Sequence, residues 1–359
     1  MPRERYTSAA LLAEEIERIF ARQWNCVGRA NQLASPGDYF VREVAGESLI
    51  ILRDRSGEGG ELRAFFNICR HRGTRLCTGG GTLPETIQCP YHAWTYATDG
   101  RLIGAPHMHD VAGFDKRDYP LHPAALAVWE GFIFVNIAGD PPQPFDEWFA
   151  PMLRRLERFG LSQLKVGHRV TYDVRANWKL VFQNYSECLH CPMIHPELST
   201  VLPYQSGAND LVDGPFLGGY MEIAAPHESA TLSGRACGRP VSPTLDDIDR
   251  RRAFYYTLMP NLMLSIHPDY VNYYLLTPMS VDRTIVESEW MFHPDCAGDP
   301  GFNPSDAIAF WDVTNRQDWA IVERSQAGIS SRRYEPGPYS ARESIPAAWD
   351  RNYLRMMGA

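Results

Sequence analysis

The sequence predicts an α+β protein: an all-β module, then a mixed part that combines an antiparallel sheet with a long carboxyl-terminal helix. Three observations carry this. Short β-rich segments separated by Gly-containing turns fill residues 39–139. Four alternating or apolar runs, two of them carrying tyrosine pairs, lie at 253–260, 262–267, 271–278 and 284–293. A helical stripe of Ile308, Trp311, Asn315, Trp319 and Val322 then spans 305–326 and stops before Gly328.

The 359 residues suffice for two domains, and 44% hydrophobic with 22% charged residues is ordinary for a globular chain. A net charge of −8 argues against a nucleic-acid partner, because phosphate binding selects a basic surface. The longest apolar stretch, Ala124 to Ala138, is broken by Glu130 and too short for a bilayer, so no membrane association is expected. The amino end has no apolar run of the secretory kind. Of the eight cysteines, Cys69, Cys89, Cys188 and Cys191 lie beside histidines. That pattern favours metal chemistry in a reducing compartment over a disulfide scaffold, so a cytoplasmic location is expected.

In chain order, Leu11, Leu12, Ile16, Ile19 and Phe20 recur at helical spacing from Ser8 to about Trp24, with Ser8 as N-cap. Pro36-Gly37 turns the chain into strands at 39–44, 48–53, 62–68, 86–89, 93–97 and 131–137. A Pro-rich stretch from Gly139 marks a boundary. Helix is expected at 145–159 and 178–190, and strand at 165–174. Residues 210–240 read as loop with weak strands, and the chain after Ser330 as irregular apart from a short helix. Three parts follow: a helical segment at 1–38 packing on the last part, the β-module at 39–139, and a domain at 140–359.

Two constellations carry chemistry. Cys69-x-His71, seventeen residues, then Cys89-x2-His92 offers two thiolates and two imidazoles from two loops. Such a set ligates a Rieske [2Fe–2S] cluster, in which two histidines replace two cysteines on one iron and make it easier to reduce. Structural zinc also accepts Cys2His2, but zinc fingers pair Cys with Cys and His with His, whereas each loop here offers one of each. Downstream, Glu187 and His190 share a helix face, and Pro192 bends the chain so that His195 can come round to His190. Two neutral imidazoles with a carboxylate from elsewhere form a facial triad for non-haem iron. Cys77 reads as a small buried hydrophobe, and Cys188-x2-Cys191, without the context of a redox motif, as packing.

Asn67-Ile-Cys-Arg-His-Arg-Gly73, Cys89-Pro-Tyr-His-Ala-Trp94 and Asn177-Trp-Lys-Leu-Val-Phe-Gln-Asn-Tyr-Ser-Glu187, running on to His195-Pro196, resemble the Rieske non-haem iron oxygenases, large (α) subunit. The resemblance covers nearly the whole chain. It implies a Rieske domain joined to a helix-grip catalytic domain whose sheet wraps a long helix. It also implies an oxygenase fed from NAD(P)H through a flavin- or ferredoxin-type reductase, and a homotrimer or a hexamer of two trimers. By the same resemblance, Cys69, His71, Cys89 and His92 hold the cluster, and His190 and His195 hold a mononuclear Fe(II). Glu187 matches the acidic residue that bridges one subunit's cluster and its neighbour's iron. The third iron ligand is an acid in the last long helix; Asn315-Arg-Gln-Asp318-Trp points to Asp318, with Asp312 second. Ala93 stands where some members have Gly.

The resemblance implies reaction of O2 with a small organic substrate. Pro36-Gly-Asp-Tyr-Phe and Asn315-Arg-Gln-Asp-Trp are similar to relatives acting on betaine, choline or carnitine, where hydroxylation of an N-methyl group releases formaldehyde. Tyr255, Tyr256, Tyr270, Tyr273, Tyr274 and Trp290 are candidates for an aromatic cage around a cation. Hydroxylation or dihydroxylation of an aromatic ring, or demethylation of an aromatic, stays open. So does a Rieske electron carrier, which would need no second iron site.

Overall fold

Ser8 opens the first long element as its N-cap, its Oγ accepting from Leu11 N at 3.3 Å. The structure, a computed structural model, describes residues 1–138, 143–298 and 301–358. After α1 (Glu4–Thr7), α2 (Ala9–Glu15) runs into a π-helical turn at Ile16–Phe20, so helix ends short of Trp24. The chain divides into two units, residues 20–148 and residues 1–19 with 149–359.

In the first unit, β1 (Asn25–Arg29), β2 (Asp38–Val44), β3 (Glu47–Arg53), β4 (Leu62–Phe66), β5 (Gly80–Thr82), β9 (Pro123–Trp129) and β10 (Phe132–Asn136) form an antiparallel sheet. Its order is β1-β10-β9-β4-β3-β2-β5. Strands β6 (Thr86–Gln88), β7 (Thr95–Ala97) and β8 (Leu102–Gly104) form a second, three-stranded sheet. β1 lies within the expected 1–38 segment, just past the helix read to about Trp24, where no strand was expected. All five of its residues are buried against β10, but an irregularity between Cys26 and Gly28 breaks the alternation that marks a strand. Of the expected Pro-rich boundary, which starts at Gly139 and runs to Phe145, residues 139–142 lie outside the described residues. The helix expected from Phe145 shrinks to one turn, α3 (Phe145–Trp148), and Gly160, at φ +58°, ends the turns that follow.

The second unit is built on an antiparallel sheet of β11 (Lys165–Val174), β12 (Ala208–Leu211), β13 (Phe216–Glu222), β14 (Arg252–Leu258), β15 (Leu262–Ile266), β16 (Val271–Ser280) and β17 (Arg283–Phe292). The order is β11-β17-β16-β15-β14-β13-β12. β13 falls where loop with weak strands was expected. Its glycines hide the strand pattern, yet a Cβ on Gly218 would sit 2.1 Å from the Tyr255 carbonyl, so the pairing with β14 selects glycine. The helices are α4 (Trp178–Tyr185), α5 (Cys191–Ile194), α6 (Pro196–Val201), α7 (Ser305–Ile329) and α8 (Ser344–Met356). α7 runs through Gly328 instead of stopping before it, and α8, at 13 residues, is longer than the short helix expected in the otherwise irregular carboxyl end. Among the described residues no helix is long and apolar enough to cross a membrane.

One buried carboxylate ties three of these helices together. Glu15 of α2 accepts from Lys179 Nζ at 2.7 Å and Trp178 Nε1 at 2.8 Å on α4, and from Tyr353 Oη at 2.6 Å on α8. Glu15 and Lys179 are fully buried, and burial pushes the Lys179 ammonium down to about 8 against the opposing pull of Glu15. Breaking such a pair leaves an uncompensated charge in the core. Glu15→Ala is therefore expected to lower the unfolding free energy by about 3–5 kcal/mol, and the added Lys179→Met to recover much of it, measured by urea denaturation. Equal losses in the single and double variants would show that the charge is not what matters.

A second buried group sets an acid limit. His267 follows β15 and is fully buried; its Nε2 accepts from Trp311 Nε1 at 3.1 Å, and burial, helped by Arg239, lowers its pKa from 6.5 to about 3. The unfolded chain takes up this proton near 6.5 and the folded chain only near 3, so its effect on stability is absent above 6.5 and destabilising as pH falls through that window. His267→Gln should flatten the fall of the thermal midpoint between about pH 6.5 and 4. Parallel curves for variant and parent would remove His267 from the account.

Candidate metal centres and substrate cavity

In the first unit, the two Cys/His loops share one closure. Cys69 N donates to Thr74 O at 2.8 Å and Gly73 N returns to Cys69 O at 3.0 Å; Cys89 N donates to Trp94 O at 2.7 Å and Ala93 N returns to Cys89 O at 3.1 Å. The fourth residue after each cysteine has positive φ, +76° at Gly73 and +53° at Ala93. Ala93 thus takes at some strain the conformation that glycine adopts freely, which explains why glycine suits this position. Cys69 and Cys89 are buried in the core formed with Ile87, Trp94 and Tyr96. The imidazoles of His71 and His92 meet edge to face, ring centres 4.7 Å apart, with His71 stacked on Trp94 at 4.8 Å.

Electrostatics at these loops fit a metal cluster. Burial raises the Cys69 thiol above its ordinary value, and Tyr96 Oη lies 3.4 Å from its sulfur while also accepting from Arg70 N at 3.0 Å. His71 Nδ1 is buried without a hydrogen-bond partner, and burial, then His92 and Arg72, lower its pKa. A buried, unpaired imidazole nitrogen beside two buried thiols is a donor set without a recipient. Cys77 is a buried free thiol whose pKa burial pushes up to about 11.

In the second unit, Asn177 caps α4, its side chain accepting from Lys179 N, and the helix ends at Tyr185. The chain then turns through Glu187 and His190 into α5, with Pro192 in its first turn. His190 Nε2 and His195 Nε2 converge on one oxygen of Asp318, at 3.2 and 3.0 Å. Their other nitrogens are also held: His190 Nδ1 lies 2.7 Å from Glu187 Oε1, and His195 Nδ1 lies 2.7 Å from Gln317 Oε1. Leu189 N donates to the second Glu187 oxygen. Burial would lower the His190 pKa, but Asp318 and Glu187 outweigh it and raise it to about 10; burial would raise Asp318, but the two imidazoles hold it below its ordinary value. Two imidazoles around a partly buried carboxylate call for a cation between them, which fits Fe(II) in a two-His-one-carboxylate set.

Of the two acids considered on the last helix, the structure brings only Asp318 to the histidines. Asp312 instead accepts from Tyr172 Oη at 2.7 Å and from Arg316 Nε at 2.9 Å. Asn184 Nδ2 reaches 3.5 Å from His190 Nε2, whereas Gln183 is engaged with Tyr6 Oη. Cys188 and Cys191 are joined in a disulfide around His190, so packing alone does not describe them. Cys191 Sγ otherwise belongs to the same donor group as His190 and His195. Gln317 was missed in the sequence; its only signal was its place beside Asp318.

A cavity of about 230 Å³ opens onto these donors, lined by Tyr185, Tyr204, Tyr220, Tyr255, Trp311 and Arg342 among others. Of the six cage candidates, Tyr255 alone lines it. Tyr256, Tyr270, Tyr273, Tyr274 and Trp290 are fully buried core residues.

Residues 161–359 match the family model of the ring hydroxylating alpha subunit (catalytic domain), and residues 23–115 that of the Rieske [2Fe-2S] domain. The glycine betaine monooxygenase oxygenase subunit of Chromohalobacter salexigens is 30% identical over 374 residues, 95% of this chain and 81% of the relative. That of Pseudomonas aeruginosa is 29% identical over 370 residues, 95% of this chain and 84% of the relative. Among solved structures, the quaternary ammonium Rieske monooxygenase CntA in complex with L-carnitine superposes with a TM-score of 0.79 at 26% identity, covering 99% of this chain and 94% of that one. Two donor sets of the required chemistry, on a chain matched by both family models in that order, lead to one assignment: this chain belongs to the Rieske non-haem iron oxygenases, as an oxygenase α subunit carrying a Rieske cluster and a mononuclear iron.

Proposed function

We propose that this oxygenase removes or hydroxylates an N-methyl group of a small quaternary amine. The observation that carries the reading is the convergence of His190 and His195 Nε2 on one Asp318 oxygen beside a cavity lined by five aromatic side chains, Tyr185, Tyr204, Tyr220, Tyr255 and Trp311. Aromatic faces attract a quaternary ammonium through their quadrupole. The relatives named for glycine betaine and the structural neighbour holding L-carnitine support the same class.

In this reading Cys69, His71, Cys89 and His92 hold the cluster within residues 20–148, and His190, His195 and Asp318 hold the iron within the unit completed by residues 149–359. With both groups bound, electrons from a reductase and O2 supply the oxidising chemistry. The chain's own residues do the positioning. Glu187 and Gln317 accept the Nδ1 protons of the two histidines, fixing the tautomers that aim both Nε2 atoms at one point. Glu187, its second oxygen held by Leu189 N, also serves as the polar link toward a cluster brought by a neighbouring subunit. Ile68 and Tyr91, exposed beside the cluster loops, and Met193, 84% exposed on α5, are apolar surface suited to that subunit contact. A homotrimer, a flavin- or ferredoxin-type reductase and a cytoplasmic location complete the proposal. Inter-subunit electron transfer is described for CntA.

Purified protein should contain about three irons and about two acid-labile sulfides per chain. Asp318→Ala should lose about one iron while keeping the sulfide and the cluster's absorption. With a surrogate reductase, glycine betaine or carnitine should yield formaldehyde. Iron unchanged in Asp318→Ala, or oxygenated aromatic products with no formaldehyde from any quaternary amine, would replace this reading. Gln317→Leu should weaken Fe(II) binding about 10- to 100-fold, measured by competition with a chelator, without changing the cluster spectrum.

A further inference from the structure

Every charged group of the cavity but one is already engaged. Glu187, His190, His195 and Asp318 satisfy one another at the iron site. The remaining one is Arg342, the cavity's single Lys or Arg among the described residues. It sits in the turn Ala341–Glu343 that leads into α8, its guanidinium 5.7 Å above the ring of Tyr204, itself a lining residue. Among the described residues no carboxylate lies within ion-pair distance of it. The nearest acid in sequence, Glu343, is turned back on its own turn, Oε2 accepting from Ser340 N at 2.7 Å as half of a capping box. The turn is not a loose tail: Ser344 Oγ accepts from Asn209 Nδ2 at 2.7 Å, and Ile345, also lining the cavity, is buried. The exposed, unneutralised guanidinium of Arg342, anchored by its ring contact with Tyr204, therefore borders the same space as the aromatic rings.

This arrangement opposes a substrate that carries only positive charge. A like charge beside Arg342 is repelled, whereas an anionic group would form the fork-shaped hydrogen bonds that a guanidinium favours. We propose that the cavity selects a short zwitterion, a trimethylammonium group at one end and a carboxylate at the other, and that Arg342 is the residue that reads the carboxylate. This rests on the quaternary-amine reading above and adds to it: the aromatic wall accepts the ammonium, and Arg342 excludes the corresponding alcohol.

The test uses the iron- and cluster-loaded enzyme and two pairs of compounds that differ only in carboxylate against alcohol: glycine betaine with choline, and γ-butyrobetaine with its alcohol. Calorimetric Kd and reductase-coupled kcat/KM are measured for the parent, Arg342→Gln and Arg342→Lys. The parent should bind at least one carboxylate about 10- to 100-fold more tightly than its alcohol. Arg342→Gln should reduce that ratio towards one in both measurements, and Arg342→Lys, which keeps the charge, should retain part of it. A parent that prefers the alcohols, or a ratio unmoved by Arg342→Gln, overturns the role of Arg342 while leaving the quaternary-amine reading intact. Failure of all four compounds to bind the loaded parent overturns both.

Discussion

A single carboxylate oxygen of Asp318 lies within hydrogen-bond distance of two imidazoles that enter from another part of the chain. A carboxylate held largely out of water stays ionised only if positive charge or donors surround it. The three groups are useful only while they stay at one point, so much of the second unit can be understood as the frame that keeps them there. Asp318 is fixed along α7, which packs on α4 and β11. Gln326, two turns further along α7, accepts from Asn177 N, the residue that caps α4. The histidines follow directly from the end of α4, across a turn that the Cys188–Cys191 disulfide closes. Helix start, helix end and metal segment are thus one mechanical path.

The candidate iron and cluster donors were the most legible part of the sequence because their chemistry is local. Each Cys/His loop carries its ligand types within four residues, and His190 and His195 are five apart. Asp318 needed the long helix as well, and its choice over Asp312 needed the pairing of Asp312 with Arg316 and Tyr172, which no periodicity reveals. Strands with clean alternation were visible; β1, interrupted by an irregularity, was not, and β13, broken by glycines, read only as a weak strand within loop. Glu15 shows the same limit: an apolar stripe predicts which residues α2 buries, but not that a carboxylate lies among them.

The substrate cavity was the least legible. Tyr255 and Tyr256 are neighbours on β14, and because successive side chains point to opposite faces of a sheet, only Tyr255 lines the cavity. The other lining aromatics come from the end of α4, from a turn, from β13 and from α7, and Arg342 comes from the turn before α8. Residues so far apart in the chain share no spacing that could announce them. Tyrosine count in the strands therefore pointed mainly to the core, where those rings pack.

The Glu15 network also sets an order of assembly. Residues 20–148 form a continuous unit, and every strand of its sheets finds its partners within that stretch. The other unit is discontinuous: Glu15 must wait for Lys179, and then for Tyr353, 338 residues further along the chain. During synthesis the cluster-bearing unit has all its partners while the iron-bearing one is still being made. The oxygenase can thus complete its electron-receiving half first, and its oxygen-activating half only after the last helix has left the ribosome.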